Sequence, residues 1–132
     1  MKKPMVTSLT FQDQNAENAM NFYVALFENS RILSVTRWGA GGPVKEGLIM
    51  QASFELDGNL FMCSDSPPVH DWDFSPAVSN YLECENESEI NRLFEKLSEN
   101  GTVTMPLNNY GFSQQFGWVL DQYGVSWQLN LS

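Results

Sequence analysis

The chain has 132 residues, a length that suits one compact domain able to bury a core. Its composition is 42% hydrophobic and 13% aromatic, which argues against disorder, and no apolar run reaches the length of a membrane span. The formal net charge is −9, and the few basic residues form no cluster beyond Lys2-Lys3. Nucleic acid and anionic membrane surfaces are therefore excluded as expected partners.

The N-terminal residues and the cysteines predict a cytoplasmic protein. Residues 1–6 contain no apolar stretch of signal-peptide length, so we expect no export by that route. Two cysteines, Cys63 and Cys84, are too few for a disulfide framework. Neither has an adjacent cationic residue that would lower the pKa of its thiol, so we interpret both as structural thiols.

The first half of the chain predicts one strand, one helix and three further strands. Apolar residues at helical spacing indicate the helix over residues 16–27, and Asn15 is its expected N-cap. Asp57-Gly58 lies between two apolar runs, which is a strong signal for a β-hairpin. The predicted strands of this half are residues 6–12, 31–38, 48–56 and 59–63.

The second half predicts the same order of elements after a proline-containing connector at residues 65–76. Its helix covers residues 87–97, and Asn86 followed by Glu89 resembles a capping box. Asn100-Gly101 indicates where this helix ends. The predicted strands of this half are residues 77–84, 102–105, 114–120 and 125–131.

The repeated order of elements indicates an internal duplication. One shift of the chain places Asn15 on Asn86 and Ser8 on Ser79, and near the end of each half the register slips by a few residues. We therefore predict a single α+β domain over residues 1–132, with one βαβββ module at about residues 5–64 and a second at about 77–131.

A duplicated βαβββ module resembles the vicinal oxygen chelate superfamily, which includes glyoxalase I, bleomycin-resistance proteins and extradiol dioxygenases. More narrowly, the chain is similar to the PhnB-like, or 3-demethylubiquinone methyltransferase-like, branch over nearly its whole length. The most specific blocks are residues 117–121 and 123–128, supported by Asn15-Ala16-Glu17 and Phe22-Tyr23. The resemblance implies a cup-shaped mixed sheet with helices on its outer face, and a homodimer.

In that superfamily a divalent metal, where present, is held by one residue from the first and one from the last strand of each module. The resemblance places these positions at Ser8, Met62, Ser79 and Gln128. Two hydroxyls, a thioether and an amide are poor ligands for Zn, Ni, Fe or Mn, which prefer imidazole and carboxylate groups. The one histidine, His70, lies in the connector. We therefore expect no metal and no cofactor.

Polar side chains alternate with apolar ones along the predicted strands, so each strand has one polar face. Leu9 and Phe11 are expected to face the helix, which leaves the polar residues to line a ligand pocket. Alternatively, these polar groups satisfy one another and buried water. The predicted pocket residues are Ser8, Thr10, Gln12, Met62, Ser79, Tyr81, Trp118 and Gln128.

Several other residues have both a functional and a plain structural interpretation. The aromatic residues of the strands either line the pocket or belong to the core, which is commoner. The connector either closes over the pocket as a lid, with His70 as an acid–base group, or is a solvated loop. Glu83 and Glu85 are interpreted as solvated rather than as paired acids. The aromatic residues in question are Trp38, Phe61, Trp118 and Trp127.

The function that these observations favour is metal-free binding of an unidentified small molecule, for sequestration, sensing or resistance. One alternative is an enzyme of the same superfamily, either a metal-independent isomerase or lyase, or a metalloenzyme with differently placed ligands. Another is a domain used mainly for dimer or partner association. The branch name suggests methyl transfer, but no Gly-x-Gly-x-x-Gly follows a predicted strand, so we predict against it.

Overall fold

The structure is a computed structural model that describes residues 3–132. Met1 and Lys2 lie outside the described residues, and so does the part of the N-terminal expectation that rests on them. The chain divides into two compact units, the first ending at Asp71 and the second running from Trp72 to Ser132. Within residues 3–132, no helix is long and apolar enough to cross a membrane.

The first unit contains one helix and a four-stranded mixed sheet with the strand order β1-β4-β3-β2. Strand β1 pairs with β4 in parallel, and the other neighbours are antiparallel. The parallel pair follows from the long crossover through α1 and the rest of the unit. The elements are β1 (Thr7–Phe11), α1 (Ala16–Leu26), β2 (Arg31–Arg37), β3 (Ile49–Leu56) and β4 (Asn59–Asp65).

The second unit repeats this topology with the strand order β5-β8-β7-β6, again with one parallel pair, β5 and β8. The predicted α+β class and the duplicated βαβββ order are therefore confirmed. The elements are β5 (Ser79–Glu83), α2 (Glu87–Ser98), β6 (Thr102–Asn108), β7 (Gln115–Leu120) and β8 (Ser126–Leu131).

Each helix buries its apolar stripe against one face of the sheet in its own unit. In the first unit, Leu9 and Phe11 are buried on β1, as their alternation predicts. In the second unit, Phe94 of α2 packs directly on the β7 backbone at Gly117, where an added Cβ would lie 2.5 Å from its ring. The other face of each sheet carries the alternate residues, which include all the predicted pocket positions on strands.

The N-terminus of α1 corrects one sequence prediction. Asn15 precedes the helix but makes no side-chain capping bond. Instead, the buried carboxylate of Asp65 accepts hydrogen bonds from the backbone N–H of Ala16 at 3.1 Å and of Ile49 at 2.8 Å. The Asp65 carbonyl oxygen also accepts the indole N–H of Trp38 at 3.1 Å. A residue from the end of β4 therefore caps a helix from the start of the unit.

The second unit has its own buried carboxylate, Asp121, in the turn between β7 and β8. Its Oδ1 accepts the backbone N–H of Tyr123 at 2.8 Å and of Val125 at 3.1 Å. Its Oδ2 accepts the indole N–H of Trp127 at 2.9 Å. A side chain that takes hydrogen bonds from its own turn holds that turn closed.

Local signals for the other turns and caps are confirmed. The Asn86 side chain accepts the N–H of Glu89 at 2.8 Å, and the Glu89 carboxylate accepts the N–H of Glu85 at 2.9 Å. Asp57 and Gly58 both have positive φ angles, 48° and 81°, as a two-residue hairpin turn requires. Strand β6 runs further than predicted, to Asn108, because a proline is tolerated in an edge strand.

Replacing Asp65 with asparagine should destabilise the protein by about 2 to 3 kcal/mol. The isosteric amide presents a donor to one of two buried N–H groups, which then loses its acceptor. Urea unfolding followed by circular dichroism measures the free energy of unfolding. Asp57→Asn is the matched control, since it lies on the exposed hairpin and should change that value by under about 0.5 kcal/mol. Equal losses in the two variants would contradict the role given to Asp65.

Candidate functional site

In the first unit, the sheet face away from α1 carries a row of small polar side chains around one methionine. Ser8 on β1 lies directly opposite Met62 on β4, and Met62 lies opposite Ser53 on β3. The Ser53 hydroxyl shares a 2.6 Å hydrogen bond with that of Ser34 on β2. The row contains no charged group, so it offers hydroxyls and a thioether to a ligand.

Thr10 and Gln12 continue the polar side of β1 beyond Ser8. Thr10 lies opposite Ser64 in the parallel register and is half-buried. The Gln12 side-chain oxygen accepts the backbone N–H of His70 at 3.1 Å, which ties the connector to the end of β1. Gln12 therefore has a structural contact at the position where the sequence predicted only a pocket residue.

The second unit gathers its predicted residues into one hydrogen-bonded cluster, which we name the serine cluster and define as Ser79, Trp118, Ser126 and Gln128. The hydroxyl oxygens of Ser79 and Ser126 lie 2.6 Å apart. The Trp118 indole N–H donates to Ser126 at 2.8 Å, and the Gln128 amide donates to Ser79 at 3.2 Å. All four belong to the sheet face opposite α2, so an uncharged polar centre lies there.

Aromatic side chains flank the serine cluster. Gln128 lies between Tyr81 on β5 and Trp118 on β7 in the strand register. Phe116, two residues before Trp118 on the same face, has its ring centroid 6.4 Å from that of Tyr81. The predicted residues Tyr81, Trp118, Ser79 and Gln128 are thus brought together on one surface.

Two aromatic residues that the sequence analysis missed extend this surface. Phe112 packs edge-on against Phe116 at 5.2 Å, and Tyr110 does so at 6.3 Å. The loop that presents them turns at Gly111, whose φ of 102° suits glycine, and its N–H donates to the Asn109 side chain at 2.8 Å. A Tyr-Gly-Phe sequence just before a strand was the available signal. Phe112 is 62% exposed, so its ring is accessible.

Of the remaining aromatic candidates, Phe61 and Trp127 belong to the core, which confirms the commoner interpretation for these two. Trp127 is 1% exposed on the α2 side of its sheet, and its indole N–H bonds Asp121. Phe61 is buried and stacks on Phe54 at 5.7 Å. Trp38 is half-buried, and its indole N–H bonds the Asp65 carbonyl oxygen.

Glu83 lies on the same strand face as Ser79 and Tyr81, but its carboxylate is engaged. One oxygen accepts the Asn130 amide at 2.8 Å, and the other accepts the Ser132 backbone N–H at 3.2 Å and hydroxyl at 3.0 Å. The Asn130 hydrogen bond is the main cause that lowers the pKa of Glu83. Glu83 is exposed, as its interpretation as a solvated group predicts, and its carboxylate also binds the C-terminal residue of the described chain.

The four positions that the resemblance assigns to a metal do not fit one. Ser8 and Met62 contribute a hydroxyl and a thioether, and the oxygen of Ser79 already bonds Ser126 and Gln128. None carries the negative charge or imidazole nitrogen that such metals prefer. Over residues 3–132, no group of three or more His, Cys, Asp or Glu side chains is placed to hold a metal ion.

The two units also differ in strand register. Ser8 lies directly opposite Met62, whereas Ser79 lies opposite Ser126 and reaches Gln128 diagonally. The alignment of the two halves places Ser8 on Ser79 and Met62 on Gln128. Relative to this alignment, the register of β5 and β8 differs by two residues from that of β1 and β4. This offset is what brings a second hydroxyl, Ser126, next to Ser79.

Comparisons with known proteins decide the family. The sequence profile described as 3-demethylubiquinone-9 3-methyltransferase matches residues 3–130. The chain belongs to this family. Its fold is similar to that of the PhnB protein from Bacillus cereus, at 48% identity and a TM-score of 0.93, covering 98% of this chain and 100% of that one.

A curated relative and a more distant structure complete the comparison. Protein YjdN from Escherichia coli (strain K12) is 29% identical over 83 residues, which are 63% of this chain and 56% of that protein. A glyoxylase/bleomycin resistance protein/dioxygenase domain from Frankia sp. EAN1pec is 14% identical with a TM-score of 0.64 and covers 100% of this chain and 93% of its own. At that identity it shows the fold alone.

The two thiols should be unreactive in the folded protein. Burial is the main cause that raises the pKa of Cys63 to about 12, with Asp65 and Glu17 adding to the shift. Burial likewise raises the pKa of Cys84 to about 12. Compared with a thiol at the ordinary value of 9.0, each should have about one-thousandth of the thiolate at pH 8. Reaction with a chromogenic disulfide reagent at that pH measures this.

The control for thiol reactivity is Val69→Cys, because Val69 is 73% exposed in the connector. The introduced thiol should react within minutes, while the two native thiols react only after urea is added. Rapid labelling of either native thiol in the folded protein would contradict their buried, protonated state.

Proposed function

We propose that this chain is a metal-free small-molecule-binding protein of its family, which sequesters or senses a ligand. The observation that carries the proposal is the serine cluster, an uncharged hydrogen-bonding centre on a sheet face next to exposed aromatic rings. Polar groups of fixed orientation beside aromatic surface are the usual composition of small-molecule sites. A face meant only for packing would gain nothing from this arrangement.

Neither the metal chemistry of the superfamily nor the methyl transfer named by the family is part of this proposal. The donor set at the metal positions argues against a divalent metal. The sequence lacks the glycine-rich strand-to-helix turn that dinucleotide-type cofactors use. The low number of cysteines and the net charge of −9 are consistent with a cytoplasmic location and with ligands other than nucleic acid or membranes.

A thermal-shift screen of aromatic metabolites and antibiotics tests the proposal, on protein purified without chelator and analysed for metals. We expect no stoichiometric transition metal and at least one compound that raises the melting temperature. A metal content of one per chain, or a screen without any stabilising compound, would count against the proposal.

The affinity of any stabilising compound should depend on Trp118. Trp118→Phe keeps the aromatic ring and removes the indole N–H that orients Ser126, so the affinity should fall about fivefold. Trp72→Phe is the matched control, since Trp72 is 51% exposed and lies outside the serine cluster. Isothermal titration calorimetry gives both dissociation constants, and equal losses would show that the cluster has no part in binding.

We also propose that the protein forms a homodimer through the edge strand β2. All seven residues of β2 are exposed. Three of them are large and apolar: Ile32, Leu33 and Val35. Such an edge is ordinarily protected by charge or by a partner.

Sedimentation velocity of the wild-type chain should give about twice 15.0 kDa. Leu33→Lys should shift the protein to the monomer, and Thr102→Lys on β6 is the control, which should leave the dimer intact. A monomeric wild-type chain would contradict this proposal.

A further inference from the structure

The directions of the hydrogen bonds in the serine cluster carry information about the ligand. The indole N–H of Trp118 can only donate, so the Ser126 oxygen accepts it. The other contact of Ser126 is with the Ser79 hydroxyl at 2.6 Å. Because Ser126 is 1% exposed, its hydrogen has no water to bond, and leaving it unpaired would be costly. The Ser126 hydroxyl therefore donates to Ser79.

Ser79 in turn accepts from both Ser126 and the Gln128 amide, so its own hydrogen is available. Ser79 is half-buried, which leaves its hydroxyl accessible from the sheet face. Turning the Gln128 amide by 180° makes Ser79 donate to the amide oxygen and leaves both N–H bonds of Gln128 available instead. In the first orientation the Gln128 amide oxygen also remains as an acceptor. In both orientations at least one donor is left, the Ser79 hydroxyl or the Gln128 N–H₂, and an acceptor on the ligand would satisfy it.

The charges of the second unit favour a neutral acceptor over an anionic one. The serine cluster contains no cation, and the only basic residues of positions 72–132 are Arg92 and Lys96. Both belong to α2, which packs on the opposite face of the sheet. Acidic residues are more numerous in this unit, so an anion would lose its hydration without gaining a counter-charge. A carbonyl oxygen meets the requirement.

The surroundings of Gln128 indicate what is attached to that oxygen. Tyr81 and Trp118 are its neighbours on the two adjacent strands, at the usual strand spacing of about 4.8 Å. Phe116 and Phe112 continue the aromatic surface from there. A planar ring bonded to the carbonyl would pack on these rings while its oxygen accepts from Ser79 or Gln128.

We propose that the second unit binds an uncharged aromatic carbonyl compound, such as an aryl ketone or an aryl amide. Its carbonyl oxygen accepts the terminal donor of the serine cluster, and its ring packs against the exposed ring of Tyr81, next to that of Phe112. This inference rests on the proposed function and narrows the ligand to a chemical class.

Four small probes separate the parts of the inference: acetophenone, ethylbenzene, cyclohexyl methyl ketone and benzoate. Acetophenone has both the ring and the neutral carbonyl, and each of the others changes one of them. Titration of the isotope-labelled full chain by NMR follows the indole N–H of Trp118 and the amide N–H₂ of Gln128. We expect acetophenone to bind at least about fivefold more tightly than each of the other probes and to shift both signals.

Gln128→Glu tests the donor directly, because an ionised carboxylate has the same shape and only accepts hydrogen bonds. It removes the amide donor, takes up the free hydrogen of Ser79 and repels a carbonyl oxygen. The affinity for acetophenone should fall about tenfold or more. Gln122→Glu makes the same charge change at an exposed position of the β7–β8 turn and should leave the affinity unchanged.

Each other outcome overturns a stated part of the inference. If ethylbenzene binds as tightly as acetophenone, the carbonyl is not recognised. If cyclohexyl methyl ketone binds as tightly, the aromatic ring is not recognised. If benzoate binds more tightly, the acceptor of the natural ligand is anionic. If acetophenone does not bind while the screen finds other ligands, the inference fails and the proposed function stands. If neither experiment finds a ligand, both fall. Should Gln128→Glu fail to fold, the probe order and the Trp118 shift in the wild-type chain decide.

Discussion

Each unit depends on a buried aspartate, which joins separate segments in the first unit and closes a turn in the second. Asp65 bonds the first residue of α1 and the first residue of β3, and its backbone oxygen bonds Trp38. Asp121 closes the β7–β8 turn and bonds Trp127 within the core. A buried carboxylate is costly unless it is fully hydrogen-bonded, so each of these residues fixes several backbone groups at once. The sheet faces that carry the candidate site are held in register by these contacts.

The elements of the fold could be predicted wherever the signal was local. The α2 cap needs only Asn86 and Glu89, and the hairpin needs only Asp57-Gly58, so short sequence patterns were sufficient. The α1 cap could not be predicted in this way, because the group that caps Ala16 is Asp65, which is 49 positions away in the sequence. Asn15 has the preferred residue type for a cap, yet its side chain makes no such bond.

The candidate site could be predicted in part, for the same reason. Strand alternation predicted that Ser79, Tyr81 and Gln128 share a face, since side chains repeat every two residues. The same alternation puts Trp127, the neighbour of Gln128, on the opposite face, where the register places it beside Val119 in the core. The exposed rings of Tyr110 and Phe112 come from a loop that follows no period, so their place next to Phe116 required the structure.

The register offset between the two parallel pairs has a consequence for protein engineering. A designer who wished to install metal ligands by symmetry would replace Ser8 and Met62 in the first unit, which face each other across β1 and β4. The residue in the same relation to Ser79 is Ser126, not Gln128, although repeat alignment by sequence selects Gln128. A pair of histidines placed in each half by this alignment would lie directly opposite each other in the first unit. In the second unit the two would be offset by two residues along the strands. Duplicated halves that look interchangeable in sequence are therefore not interchangeable as templates.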